Sequence, residues 1–140
     1  MNTRTFALLF GIVFLAVGVG SFFIVDKAAV PDPDLTMTHG FGHGLNLLPI
    51  NTVHNAIHIV FGLWGLAASR SVGGSVSYAR AVAVIYAVLT VMGLGLVEGT
   101  DTTFGFVPIY GNDVWFHGAL TVVAAYFGWM HRNEGAAGRG

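Results

Sequence analysis

Cysteine is absent from this chain and charge is scarce. Without a thiol there can be no disulfide framework, thiolate metal site or thiol nucleophile. Asp, Glu, Lys and Arg make up only 9% of the 140 residues, where about a quarter is usual for a soluble domain. Nor does the sequence hold a phosphate loop, a serine nucleophile motif or a nucleic-acid-binding surface. What is present is apolar: 54% hydrophobic residues and a mean hydropathy of +0.71. The length implies a single domain. Its apolar runs approach the roughly 20 residues that cross a hydrocarbon core, so the expected partner is a lipid bilayer.

Four such runs predict an all-α, four-transmembrane-helix antiparallel bundle with helices at about 5–25, 52–69, 80–97 and 114–130. They form one domain over residues 1–132, followed by a flexible cytoplasmic tail at 133–140. The first run exceeds the roughly 7–15 apolar residues of a cleavable signal and lacks a small-x-small cleavage site, so it reads as a retained helix. Asp26 to Asn51 is a polar connection, Ser71 to Ser77 a short Gly/Ser turn, and Glu98 to Asp113 a second long connection. Arg4, Arg70, Arg80, Arg132 and Arg139 fall on one side of this topology and Lys27 alone on the other. The positive-inside rule then puts both termini in the cytoplasm. Six of the seven acids (Asp26, Asp32, Asp34, Glu98, Asp101 and Asp113) fall on the outer side.

The most informative pattern is a repeat. PINTVHNAIHIVFG from Pro49 to Gly62 is echoed 59 residues later by PIYGNDVWFHG from Pro108 to Gly118. Pro49 matches Pro108, Ile50 matches Ile109, His54 matches Asp113, and His58 matches His117. Two repeated helical hairpins follow, related by a pseudo-two-fold axis along the membrane normal. Small residues, among them Ala7, Gly11, Gly18, Gly62, Gly93 and Gly128, allow the helices to approach closely.

Residues four apart share a helix face, so His54/His58 and Asp113/His117 form two matching ledges. Facing inward they present three imidazoles and a carboxylate, a ligand set suited to zinc, iron or manganese. Glu98, at the outer end of the third helix, is a further oxygen ligand in this reading. For one metal about 2.1 Å from each ligand, the donor atoms must lie roughly 3–4.5 Å apart, side-chain movement in a metal-free form included.

Rival readings exist for each residue. Asp113, or Asn112 before it, is of the type found at helix N-caps. His54 suits a solvated interface, and Trp115, Trp129 and Tyr110 suit aromatic belts. A metal-free polar cluster also satisfies the spacing, and a haem held between His58 and His117 is a less favoured third case. His39-Gly-Phe-Gly-His43 has the same spacing, but its glycines argue for a solvated loop.

Pro49, Asn51, His54-Asn55, His58 and Gly62, followed by Gly105, Pro108, Asp113, Trp115 and His117, resemble a bacterial family of small four-helix membrane proteins catalogued only as a domain of unknown function. The resemblance runs from about Arg4 to Met130 and implies the four-span architecture in a bacterial cytoplasmic membrane. It gives His54, His58, Asp113 and His117 as motif positions and implies no activity.

The functional expectation is therefore a membrane protein with an outer-face metal cluster. The alternative is a metal-free accessory subunit of a homo-oligomer or larger membrane complex. Transport is disfavoured, because no charged residue lies near the middle of a span. A metal with an open position can activate water, but no substrate pocket is legible, so catalysis is left open.

Overall fold

A computed structural model describes residues 1–23, 25–27, 29–30, 32–44 and 46–131, with 25–27 as backbone only. The expected tail at 133–140, Arg132 and the side chains of Asp26 and Lys27 lie outside the described residues. Four α-helices appear among those described: α1 Thr3–Gly20, α2 Thr52–Ala68, α3 Val72–Gly93 and α4 Asn112–Ala125, with a π-helical turn at Tyr126–Met130 continuing α4. Of these, α1 and α3 are long and apolar enough to cross a membrane, and α2 is a shorter apolar helix.

Each start has a local cause. Asn2 caps α1 by accepting from the Thr5 N–H at 2.9 Å. Ser71 caps α3 by accepting from the Gly74 N–H at 3.0 Å. The cap corrects the expected Ser71–Ser77 turn: that stretch is the first turns of α3. Ser75 holds it there, its hydroxyl donating to the Ser71 and Ala68 carbonyls at 2.8 and 3.0 Å. The helix accordingly ends earlier than expected, at Gly93, and the chain turns at Gly95 with φ +64°.

The helices run up and down. Arg4 at the start of α1 donates to the Ser69 carbonyl just beyond α2, at 2.8 Å. Arg80 in α3 donates to the Gly128 carbonyl at 2.8 Å and lies 5.5 Å from the Trp129 ring. Between α1 and α2 the backbones nearly touch: a Cβ on Gly11 would meet Leu66 N at 2.8 Å and Gly62 O at 2.9 Å. The core fills the half of the bundle around the N-terminus of α1, where Phe6, Tyr78, Val82 and Phe127 pack together.

The connection between α1 and α2 is polar by composition and has structure of its own. It carries a three-stranded antiparallel sheet, ordered β1 Val25–Lys27, β2 Gly42–Gly44 and β3 Leu48–Ile50. His43 pairs with Asp26 on one side and Pro49 on the other. Strands of three residues are too short for an alternation of side chains to announce them. The sheet delivers Pro49 and Ile50 to the mouth of α2, and the second connection delivers Pro108 and Ile109 to the mouth of α4. All four residues are buried.

Candidate metal centre

Asn51 sets the entrance of α2. It is fully buried, and its side-chain oxygen accepts from the His54 N–H at 2.8 Å. Its amide nitrogen donates to the Met37 and Phe106 carbonyls, both at 2.8 Å. One side chain thus ties the helix to both long connections. The second connection is joined to the first again where the Thr36 and Met37 N–H groups donate to the Gly105 carbonyl. Together they roof the start of α2 and α4.

Helix α4 begins differently. Gly111 occupies the cap position with φ +66°, and no side chain caps the helix. This overturns the capping role for Asp113 or Asn112. Asn112 instead donates to the Leu47 carbonyl at 3.3 Å, and Asp113 turns its carboxylate into the protein, where the residue is 3% exposed. His54 is also buried at 3%, which removes the solvated-interface reading for it.

The two ledges meet. His54, Asp113 and His117 each offer a donor atom, all within 4.8 Å of one another, so this group can hold a metal ion. That spread is slightly wider than the roughly 3–4.5 Å expected for one directly coordinated ion with side-chain movement allowed. The His54 ring centroid is 4.5 Å from that of His58 and 6.3 Å from that of His117. Asp113 Oδ2 approaches His117 Nε2 to 3.4 Å without the alignment of a hydrogen bond.

The defining feature is unmet hydrogen-bonding capacity. His54 Nδ1, His58 Nδ1, His117 Nδ1 and Asp113 Oδ2 are all buried with no hydrogen-bond partner among the described residues. Nearly all buried polar atoms in folded proteins are paired, because an unpaired one costs about 1–3 kcal/mol. Such atoms in and beside the His54, Asp113 and His117 group make it a candidate site for a bound cation.

Aromatic rings separate this cluster from the core. Phe14 stacks on His58 with centroids 5.6 Å apart, and Tyr86 meets His117 edge-on at 4.8 Å. Phe14 and Tyr86 themselves lie 5.7 Å apart. Sequence reasoning missed this floor, because an apolar run does not reveal which of its aromatics faces inward.

The remaining candidates lie elsewhere. Glu98 is exposed in the turn beyond α3, since that helix stops at Gly93, and it stands outside the group. His58 is 8% exposed and borders the group without belonging to the three closest donors. His39 is exposed and its Nδ1 lies 2.9 Å from the Thr52 hydroxyl, while His43 sits in β2 with its ring 5.8 Å from Phe41. Tyr110, read as a belt residue, instead has its hydroxyl buried without a partner among the described residues. Burial, with the charges of Asp32 and Asp101, pushes it up to about 12.

Residues 4–130 match the family described as Domain of unknown function (DUF4383), and the chain belongs to that family. No curated protein and no solved structure matches it.

Proposed function

We propose that this member of the DUF4383 family is a four-span integral membrane protein that binds one divalent transition metal at its outer end through His54, Asp113 and His117, with His58 as the neighbouring fourth ligand. The observation that carries the reading is the set of four buried, unpartnered donor atoms on two repeated ledges. Two or three imidazoles with one carboxylate suit zinc, iron or manganese. A metal-free cluster would be expected to pair its carboxylate with an imidazole, and the 3.4 Å approach of Asp113 to His117 is not a hydrogen bond. The two cavities beside the cluster, about 120 and 60 Å³, are too small for a porphyrin between His58 and His117.

Several features support the bilayer placement. Beyond α1 and α3, helix α4 and its π-helical turn run 14 and 5 residues without a break. Large apolar side chains such as Ile12, Val60, Leu63, Val84, Val91 and Val122 are exposed along the helices, an arrangement a bilayer solvates and water does not. Arg4 and Arg70 lie at one end, and Asp32, Asp34 and Asp101 belong to connections at the other, which under the positive-inside rule puts the N-terminus in the cytoplasm.

The test is metal analysis of purified full-length protein after zinc loading and desalting. The wild type should retain about one ion per chain, the capacity of a single closed centre. The His54→Ala/His117→Ala variant should fall to background. Equal, substoichiometric metal in both proteins would reject the proposal.

A further inference from the structure

Beside the cluster, the bundle is open on one flank. α1 packs along α2, and α3 along α4, but α1 scarcely touches α4 except at the π-helical turn. There Phe6 stacks on Phe127 with centroids 4.7 Å apart and closes the gap. Above that contact lies a cavity of about 120 Å³ whose walls include Phe10, Phe14, Val17 and Leu120, with Val13 and Phe116 at its exposed mouth. Its inner end is polar: His58, Asp113 and His117 line it, each more than nine-tenths buried. Each of these three also carries a buried atom lacking a hydrogen-bond partner among the described residues, although Asp113 Oδ2 lies 3.4 Å from His117 Nε2.

We propose that this flank is a binding site for a lipid-soluble hydroxyaromatic ligand, a phenol or hydroquinone ring entering from the bilayer between α1 and α4. The size fits one ring, since an apolar cavity of about 150 Å³ holds a single benzene. Phenylalanines line the walls and mouth, and aromatic faces prefer to pack against such edges and faces. The ring hydroxyl would reach the His58, Asp113 and His117 atoms, donating to the carboxylate or to an imidazole nitrogen. A wholly apolar ligand would leave those atoms unpaired, at the cost such burial carries. The inference rests on the bilayer placement proposed above. It shares His58, Asp113 and His117 with the proposed metal centre and draws on the same atoms, so the phenol site is that of the metal-free protein.

The experiment compares 4-fluorophenol with fluorobenzene, followed by fluorine NMR on the full chain in detergent, with and without zinc loading. The two probes match in shape and differ by one hydroxyl. The phenol should bind about five- to tenfold more tightly, the worth of one well-placed hydrogen bond. Leu120→Trp should abolish binding of both probes. His117→Phe should keep fluorobenzene and reduce the preference for the phenol. Should Leu120→Trp not fold, Val13→Trp blocks the same mouth from an exposed position. Equal binding of the probes, or undiminished binding in the blocked variant, would overturn the site. Zinc content of the same samples is read separately, and sodium carbonate extraction of native membranes tests the bilayer placement. A failure of either reading is thus told apart from a failure of the pocket.

Discussion

Asn51 makes three hydrogen bonds with one amide, and no neighbouring group can replace it. Truncating it uncaps α2 and removes two part-buried hydrogen bonds to carbonyls, a loss of about 2–4 kcal/mol from a cap worth about 1 and two bonds worth about 0.5–1.5 each. Asn51→Ala should therefore unfold in milder denaturing detergent than wild type. Asn112→Ala, which removes one exposed bond of 3.3 Å, should change resistance little. Similar behaviour of the two would mean that the roof is not held through Asn51. At this scale the sequence was only partly legible. The ledges at His54/His58 and Asp113/His117 showed because helical spacing and the 59-residue repeat both mark them. The task of Asn51 did not, because its partners are backbone carbonyls 14 and 55 residues away, and a carbonyl has no sequence signature. Gly111 left the rival capping reading of Asp113 open in the same way. A helix without a side-chain cap gives no sign that its first acid is free for other work.

The α1–α2 pair is an element whose stability depends on the absence of side chains. A Cβ on Gly11 would press on the backbone of α2 at 2.8 Å, inside the distance real contacts allow, and neither backbone can yield cheaply. Gly73 in α3 is also helical, but nothing lies within 4 Å of its Cβ position. Opposite outcomes follow from the same substitution. Gly11→Ala should destabilise the bundle and splay α1 from α2. Gly73→Ala should stabilise it by about 0.5–1 kcal/mol through helix propensity alone. Thermal aggregation onset in one detergent measures both, and a stabilising Gly11→Ala would refute the close crossing. The limits of α3 were misread from sequence for a related reason. Gly/Ser composition between Ser71 and Ser77 argues for a turn, but the Ser71 cap and the back-bonding of Ser75 outweigh that local preference. The three-residue strands left still less trace, since two of the three residues in β2 are glycine.

At the scale of the molecule, the repeat builds a roofed polar chamber at one end and an aromatic core at the other. The core and chamber share Phe14 and Tyr86 as a partition, so the candidate ligands sit on packed helices. Orientation is directly accessible because the chain has no cysteine of its own. With a single introduced thiol, Ser71→Cys should be labelled by a membrane-impermeant maleimide only after cells are opened. Leu47→Cys, in the opposite end's β2–β3 turn, should be labelled in intact cells. The reverse pattern would place the chamber on the cytoplasmic side.

On the proposed reading the two ledges close over one ion. X-ray absorption at the zinc K-edge of the loaded, full-length protein measures that directly. Nitrogen and oxygen neighbours at about 2.0–2.2 Å are predicted, with the outer-shell scattering of at least two imidazole rings, one of them lost in His117→Ala. A shell of oxygen alone, or a spectrum unchanged by that substitution, would contradict it.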